Sequence, residues 1–382
     1  MKILQYSGGF GLERETLRVD AENHLAQTPH PFGDDSNITR DFCENQIELI
    51  TPVCHSIDEV IFSLKNLHER AEKILAEQNE HILLYSNPPY FHSEQDIPIA
   101  KFSGDQSSKQ FYREALEKRY GKRLMLFSGV HFNFSFPEEL LRQWHQEEKS
   151  SENFNDFRNR IYLNLYQQLF VHSYMLVLLT AASPVYDKSL DGDGLSGAVK
   201  SKYASLRNSE RGYWNQFIPV LDYTDLHTFG EGIQEYIRKG LLFSVSELYL
   251  PIRLKPRGEN SLEALIRNGV DHIELRMFDL NPFCPLGVNR NDLFFAHLLI
   301  LYLVRQKEIN LTPEQQEQAV KNHQNAALYH PDQILIENTL RILSEMQVCF
   351  SDNPEAQNVI EYQKEKLTHE RYCEQIRSED FY

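Results

Sequence analysis

Positive charge is what this sequence is short of: 39 lysines and arginines face 55 aspartates and glutamates, a formal net charge of -16. Such a surface repels polyanions, so nucleic acid and anionic membranes are poor partners, while cations and substrates delivered with cations suit it. Cysteine is scarce as well. Cys43, Cys54, Cys284, Cys349 and Cys373 form no C-x-x-C pair and no zinc-ligand spacing, which excludes a disulfide framework and reads as reduced thiols in a cytoplasm. Long apolar runs are missing. Met175 to Ala182 and Leu293 to Val304 are the most apolar stretches, both too short for a membrane span and expected to be core helices. The opening MKILQYSGGFGLERE has no apolar segment of signal-peptide length, so a cytoplasmic location is expected. G-x-x-x-x-G-K-[ST], H-E-x-x-H and G-x-S-x-G are all absent, and Gly9-Phe10-Gly11 lacks the third glycine of a dinucleotide fingerprint,. Asp191-Gly192-Asp193-Gly194 lacks the remaining ligands of a calcium loop and reads as a surface turn,.

What is present is a chain of 382 residues, 41% of them hydrophobic, enough to bury a sizeable core. Segments of helical period and of strand period mix without a βαβ rhythm, and there is no internal repeat or long linker. The expectation is an α+β fold organised as one domain over residues 1–382. Ser56 and Glu59 form an S-x-x-E start signal before apolar residues at Val60, Ile61, Leu64, Leu67, Ala71, Ile74 and Leu75, which predicts an amphipathic helix. Further helices are expected from about Ser108 to Gly121, over Phe154 to Ala182, and through most of the charge-rich last eighty or so residues, which read as scaffold.

Four segments alternate as strands do. Leu12 to Val19 places Glu13 and Glu15 on one face; Asp41 to Pro52 places Glu44, Gln46 and Glu48 together. Gly129 to Phe136 separates Val130, Phe132, Phe134 and Phe136 from Gly129, His131, Asn133 and Ser135, and His272 to Phe278 gathers His272, Glu274 and Arg276. Carboxylates on neighbouring strands would repel at roughly 4 kcal/mol per contact at about 4 Å and an effective dielectric of about 20. Something positive must therefore sit among them. Hard oxygen donors in that number suit Mg²⁺ or Mn²⁺ together with substrate phosphates, with His131 as a nitrogen donor. An isolated E-x-E pair is usually just solvated and a lone histidine usually a hydrogen-bonded core residue, so a metal site requires the four strands to share one sheet.

The segments GLERETLRV (11–19), TRDFCENQIELITPV (39–53), FYREALEKRYG (111–121), SGVHFNFSFP (128–137), YASLRNSERGY (203–213), ELYLPIRLKPRG (247–258) and HIELRMFDLNPFCPLGV (272–288) resemble, in order, the bacterial glutamate–cysteine ligases, including the ligase half of bifunctional glutathione synthases. The resemblance implies a glutamine-synthetase-like fold, in which a curved antiparallel sheet carries metal, ATP and substrates on its concave face with helices packed behind. It implies ATP-dependent joining of the glutamate γ-carboxylate to the cysteine amino group through a γ-glutamyl phosphate, with glutamate, cysteine and ATP as small-molecule partners. It also implies metal ligands at Glu13, Glu15, Asp41, Glu48, His131 and Glu274, with Glu13 also counted in the catalytic set. Arg276 would stabilise the phosphoryl group in flight, and Arg207 would hold a substrate carboxylate. Phe42, Tyr112, Arg113, Leu116, Asn133, Tyr213 and Tyr249 would contact substrate. Met125 stands where some relatives carry glutamine, which keeps a different amine acceptor open. A non-catalytic nucleotide or glutamate sensor is the other alternative. With no second ligase half in the sequence, the expected product is γ-glutamylcysteine. Oligomeric state has no sequence signal, and a monomer is the simplest reading.

Overall fold

The computed structural model describes residues 6–102, 107–192 and 194–378. Asp193, part of the turn expected at 191–194, lies outside the described residues. The expected mixture of helices and antiparallel strands is what the chain forms. Strands β1 (Gly9–Asp20), β2 (Ile38–Arg40), β3 (Gln46–Ile50), β4 (Glu80–Leu83), β5 (Val130–Ser135), β8 (Ile252–Pro256) and β9 (Val270–Phe278) make one sheet in the order β2-β3-β1-β5-β9-β8. Strand β4 pairs with the end of β1. Every pairing in the sheet is antiparallel. Strands β6 (Val185–Asp187) and β7 (Ala198–Lys200) form a separate two-stranded ribbon.

All four alternating segments therefore lie in one sheet, which the repulsion argument required. Residue alternation gives the sheet two unlike faces. On one, Leu12, Phe132, Phe134, Ile273, Leu275 and Met277 are buried in the main core. Helix α1 (Ile57–Ala76) packs on β1, β3 and β4, and α4 (Phe154–Thr180) on β8 and β9. Ser56 caps α1 by accepting the Glu59 N–H at 3.1 Å, while the Glu59 carboxylate reaches the N–H of His55 rather than that of Ser56. Helix α4 is buried on nearly every side, as expected of a span that α7 (Arg290–Leu303) and α8 (Pro313–Ala326) enclose,. The remaining helices are α2 (Ser107–Tyr120), α3 (Glu138–Glu148), α5 (Leu226–Arg238), α6 (Leu262–Asn268), α9 (Gln333–Cys349), α10 (Pro354–Thr368) and α11 (Tyr372–Ser378).

One strand expectation needs correcting. Only Gln46–Ile50 is strand; residues 41–45 form the connection from β2, closed by the Gln46 N–H donating to Cys43 O at 3.1 Å and the Asp41 N–H donating to Gln46 O at 3.1 Å. Glu44 consequently leaves the polar face. Its carboxylate accepts from the Lys101 N–H at 2.6 Å and faces Arg40 at 3.7 Å. No helix among the described residues is long and apolar enough to cross a membrane.

Candidate active site

The register of the sheet decides which side chains meet. Glu13 on β1 lies opposite His131 on β5, and Glu15 lies opposite Glu48 on β3. One strand further, Asn133 lies opposite Glu274 of β9, and Glu274 opposite Arg253 of β8. His131 sits centrally: its Nδ1 is 3.4 Å from Glu13 and 3.5 Å from Glu274, and its Nε2 is 3.4 Å from Glu15. One potential ligand atom each from Glu13, His131 and Glu274 falls within 4.8 Å of the others. Asn133 donates to Glu13 at 3.2 Å. Arg276 donates to the Glu274 carboxylate, and Lys255 Nζ lies 2.6 Å from it.

These neighbours divide the carboxylates into two groups. Burial pushes Glu274 upward, but the charges of Lys255, Arg276 and Arg253 win and hold it well below the usual range. At Glu15, burial and the charge of Asp41 outweigh Arg207 and Arg276 and push the carboxyl up to about 8. Burial likewise raises Asp41, and burial with the charges of Glu13, Asp41 and Glu15 raises Glu48 well above its ordinary value. Glu274 thus has its counter-charge within the protein, whereas Glu15, Asp41 and Glu48 share an excess of negative charge. Burial, then Arg276, lowers His131 to about 4, so its imidazole is neutral. Its Nε2 is buried and makes no hydrogen bond. A neutral ring nitrogen and undercompensated carboxylates form a donor set that fits a hard divalent cation.

A cavity of about 510 Å³ opens on this face. Glu13, Glu15, Asp41, Glu48, His131, Arg207 and Arg276 line it, as do Phe42, Tyr112, Arg113, Leu116, Tyr213 and Tyr249. Of the residues singled out in the sequence, Glu274 and Asn133 do not line the cavity directly but touch its edge, Asn133 through Glu13 and Glu274 through His131. The aromatic wall is built around Phe42, Leu116, Met125, Phe127 and Tyr249, which form a small core of their own with Tyr112 and Tyr213 against it. The Tyr213 and Tyr249 rings meet edge to face at 5.6 Å, and Tyr213 donates its hydroxyl to Met125 O at 3.1 Å. Arg113 donates to the carbonyl oxygens of Asp41 and Arg40, tying α2 to the β2–β3 connection. Cys43 is fully buried, and desolvation pushes its thiol far above the ordinary range, which matches a packing residue.

Arg207 is held tightly. One of its terminal nitrogens donates to Arg276 O at 3.0 Å and Phe278 O at 3.1 Å. Its guanidinium lies against Gly129, where an added Cβ would come within 2.4 Å of Cζ.

Several cavity residues were not picked out from the sequence: Arg253 and Lys255 on β8, Arg40, Lys109, Asn208, Trp214 and His323. Strand β8 did carry a signal. Ile252, Leu254 and Pro256 are buried in alternation with Arg253 and Lys255, so the same period-2 reading applied to IRLKP would have found both cations.

The family model for glutamate-cysteine ligase matches residues 2–240 and 216–326. The "Glutathione biosynthesis bifunctional protein GshAB" of Listeria innocua is 38% identical over 392 aligned residues, which cover 95% of this chain and 51% of that protein. The chain thus spans about half the length of that relative. The "Glutamate--cysteine ligase" of Clostridium acetobutylicum is 31% identical, with coverage of 84% and 76%. Among solved structures, the Francisella tularensis glutamate–cysteine ligase in complex with AMP superimposes with a TM-score of 0.83 at 25% identity, over 97% of this chain and 87% of that one. Ordered motifs, sheet and matches agree: the chain belongs to the glutamate–cysteine ligase family.

Proposed function

We propose that the chain is a single catalytic domain that joins the γ-carboxylate of L-glutamate to the amino group of L-cysteine at the expense of ATP, with Mg²⁺ or Mn²⁺ as cofactor. The observation that carries this reading is the juxtaposition, in one cavity of about 510 Å³, of an undercompensated carboxylate–imidazole face, the guanidinium groups of Arg207 and Arg276 among five lining arginines, and an apolar aromatic wall. The polar face of the sheet is taken as the concave, catalytic one. Glu13, Glu15, Asp41, Glu48, His131 and Glu274 would hold the metal, which supplies Lewis-acid neutralisation of the nucleotide phosphates.

The protein's own groups account for the rest. Arg207 positions a substrate carboxylate, and a guanidinium suits that task because its donors form a planar fork. The γ-carboxylate attacks the γ-phosphorus of ATP, the bond to the β,γ-bridging oxygen breaks, and ADP leaves. Arg276, aimed into the cavity and fixed by Glu274, balances charge on the transferring phosphoryl oxygens. The cysteine amine then attacks the acyl phosphate carbonyl, loses a proton and expels phosphate. Tyr112, Leu116, Tyr213, Tyr249 and Phe42 enclose the acceptor side chain, an apolar setting that suits a thiol. Orienting the reactants, rather than covalent chemistry by the protein, supplies the acceleration.

A second reading, a different amine acceptor, rests on Met125. This residue lines the cavity with a thioether, which cannot give a polar acceptor the hydrogen bonds of an amide,. ADP release from Mg·ATP with L-glutamate, with and without L-cysteine and with other amines, tests both. Cysteine-dependent turnover is expected. Turnover only with another amine would move the acceptor, and silence throughout would leave a non-catalytic binding protein.

A further inference from the structure

Helix α8 lies in the C-terminal stretch that reads as scaffold, yet it sends His323 to the cavity lining beside Asn208 and Trp214. The imidazole is 1% exposed and caught between two partners: Nδ1 is 2.9 Å from Ser173 Oγ and Nε2 is 3.2 Å from Asn208 Oδ1. The indole of Trp214 stands edge-on against the ring at 5.2 Å and donates its N–H to Ser209 O at 2.8 Å.

The network around Asn208 fixes the direction of each bond. Asn208 Nδ2 lies 2.9 Å from Met277 O, 2.8 Å from Ser205 Oγ and 3.3 Å from Asp279 Oδ1. A carbonyl and a carboxylate accept only, so the NH₂ end of the amide must point at them and the oxygen must point at His323. Nε2 of His323 therefore carries the hydrogen, and Nδ1 accepts from the Ser173 hydroxyl. Asp279 is anchored in turn by the Ala182 N–H at 2.9 Å and by the Ser183 and Ser205 hydroxyls at 2.7 and 2.8 Å. Every member of this chain of bonds is buried.

The chain ends on the catalytic strand. Three consecutive carbonyls at the end of β9 are taken by two adjacent side chains, Arg276 O and Phe278 O by Arg207 and Met277 O by Asn208. The pose of Arg207 and the end of the strand bearing Arg276 thus share one clamp. The only donor that the described contacts give to Asn208 Oδ1 is His323.

We infer that His323 is a positioning residue for this site: through Asn208 it holds the Arg207–β9 clamp in the geometry that binds glutamate. The inference rests on the proposed activity. Replacing His323 by alanine leaves Asn208 Oδ1 buried and unpaired, which costs about one hydrogen bond. His323→Ala is expected to lower kcat/KM for glutamate about tenfold at temperatures well below its Tm. His323→Gln, whose amide N–H can stand where Nε2–H stood, should return it to within about threefold. His323→Asn, which reaches only the Ser173 side, should not.

A fall in Tm with unchanged kcat/KM, or equal behaviour of the Gln and Asn variants, would overturn the positioning role while leaving the ligase reading intact. If His323→Ala does not fold, the Gln and Asn pair decides by itself. If the wild-type protein releases no ADP, the ligase reading fails, and calorimetric titration with glutamate takes over as the readout. About tenfold weaker binding by His323→Ala then supports the clamp, and equal binding, or none by the wild type, overturns it.

Discussion

Replacing Gly129 by alanine separates the geometry of the site from the stability of the fold. The backbone of Gly129 is not in the left-handed region, so alanine meets no conformational penalty there. Its Cβ, however, would lie 2.4 Å from Arg207 Cζ and 2.6 and 2.7 Å from the two terminal nitrogens. Ordinary carbon contacts begin near 3.5 Å, so the guanidinium must retreat by about 1 Å. It is the far end of a flexible side chain and can do so, but it cannot then keep both bonds to Arg276 O and Phe278 O. A misplacement of about 1 Å in a positioning group costs on the order of 10²-fold in rate, or about 2.7 kcal/mol of transition-state stabilisation. Stability should fall by less, about 1–2 kcal/mol, since the lost hydrogen bonds are partly offset by the reduced freedom of the unfolded chain. The assay pairs kcat/KM for glutamate, from ADP release, with Tm. A folded Gly129→Ala protein with kcat/KM within twofold of wild type would refute the claim that Arg207 works from this pose. Gly212→Ala is the contrasting control. There the new Cβ would come within 1.8 Å of the backbone oxygen of Arg207, which cannot retreat alone, so loss of folded protein is expected.

Glu13→Gln should lower turnover by at least about 10³-fold. It should also reduce the rise in Tm on adding Mg²⁺, which for wild type corresponds to about 2.7 kcal/mol at 100 times Kd; equal Tm shifts in the two proteins would remove Glu13 from the metal site. Arg18 and Glu80, a buried pair with nitrogen and oxygen 2.5 Å apart, should make Arg18→Met destabilising by about 3–5 kcal/mol in urea titration, because Glu80 is left buried without a counter-charge, with the Thr28 hydroxyl as its remaining donor,. An effect under about 1 kcal/mol would show that water reaches Glu80. Burial lowers both His297 and His323 from 6.5 to about 3. Above pH 6.5 both are neutral, folded or not, and stability is complete. As pH falls towards 3 the unfolded chain takes up protons that the folded chain refuses, losing up to about 1.4 kcal/mol per pH unit for each histidine. Urea midpoints at pH 7.0 and 5.5 should show this loss, and His297→Phe should remove only its own share, because burial lowers His30, His68, His131 and His172 as well; the same pH dependence in wild type and variant would contradict the assignment.

The carboxylate-rich half of the cavity was legible because strands write their faces into the sequence at period 2, and Glu13, Glu15, His131, Glu274 and Arg276 all sit on such strands. What failed to show was the pairing of those strands, which depends on contacts across more than a hundred residues. Glu44 was misplaced because a tight connection interrupts the pattern at 41–45. Lys255 and Arg253 were passed over because the strand Ile252–Pro256 is only five residues long and ends in proline, so its alternation does not stand out,. Helix α3 begins directly after Pro137, whose side chain caps nothing, so it offers no N-cap signal. His323 had no sequence signature at all: helical periodicity marks it as one more inward residue of α8, and its polar partners lie at Ser173 and Asn208.

The register of the sheet also has a consequence for how the chain can be made. Glu13, Glu15, Asp41 and Glu48 all leave the ribosome within the first fifty residues, whereas Lys255 and Arg276, the cations that hold Glu274, and His323, which supports the clamp, emerge more than two hundred residues later. Until β9 docks against β5, the nascent chain carries a concentrated patch of like charge that lacks Arg276 and is offset only in part by Arg113 and Arg207. Joining strands so far apart is slow because the loop entropy is lost before the contacts are gained. A chain released before residue 270 would lack β9 altogether and is expected to be cleaved by protease more readily than the whole chain.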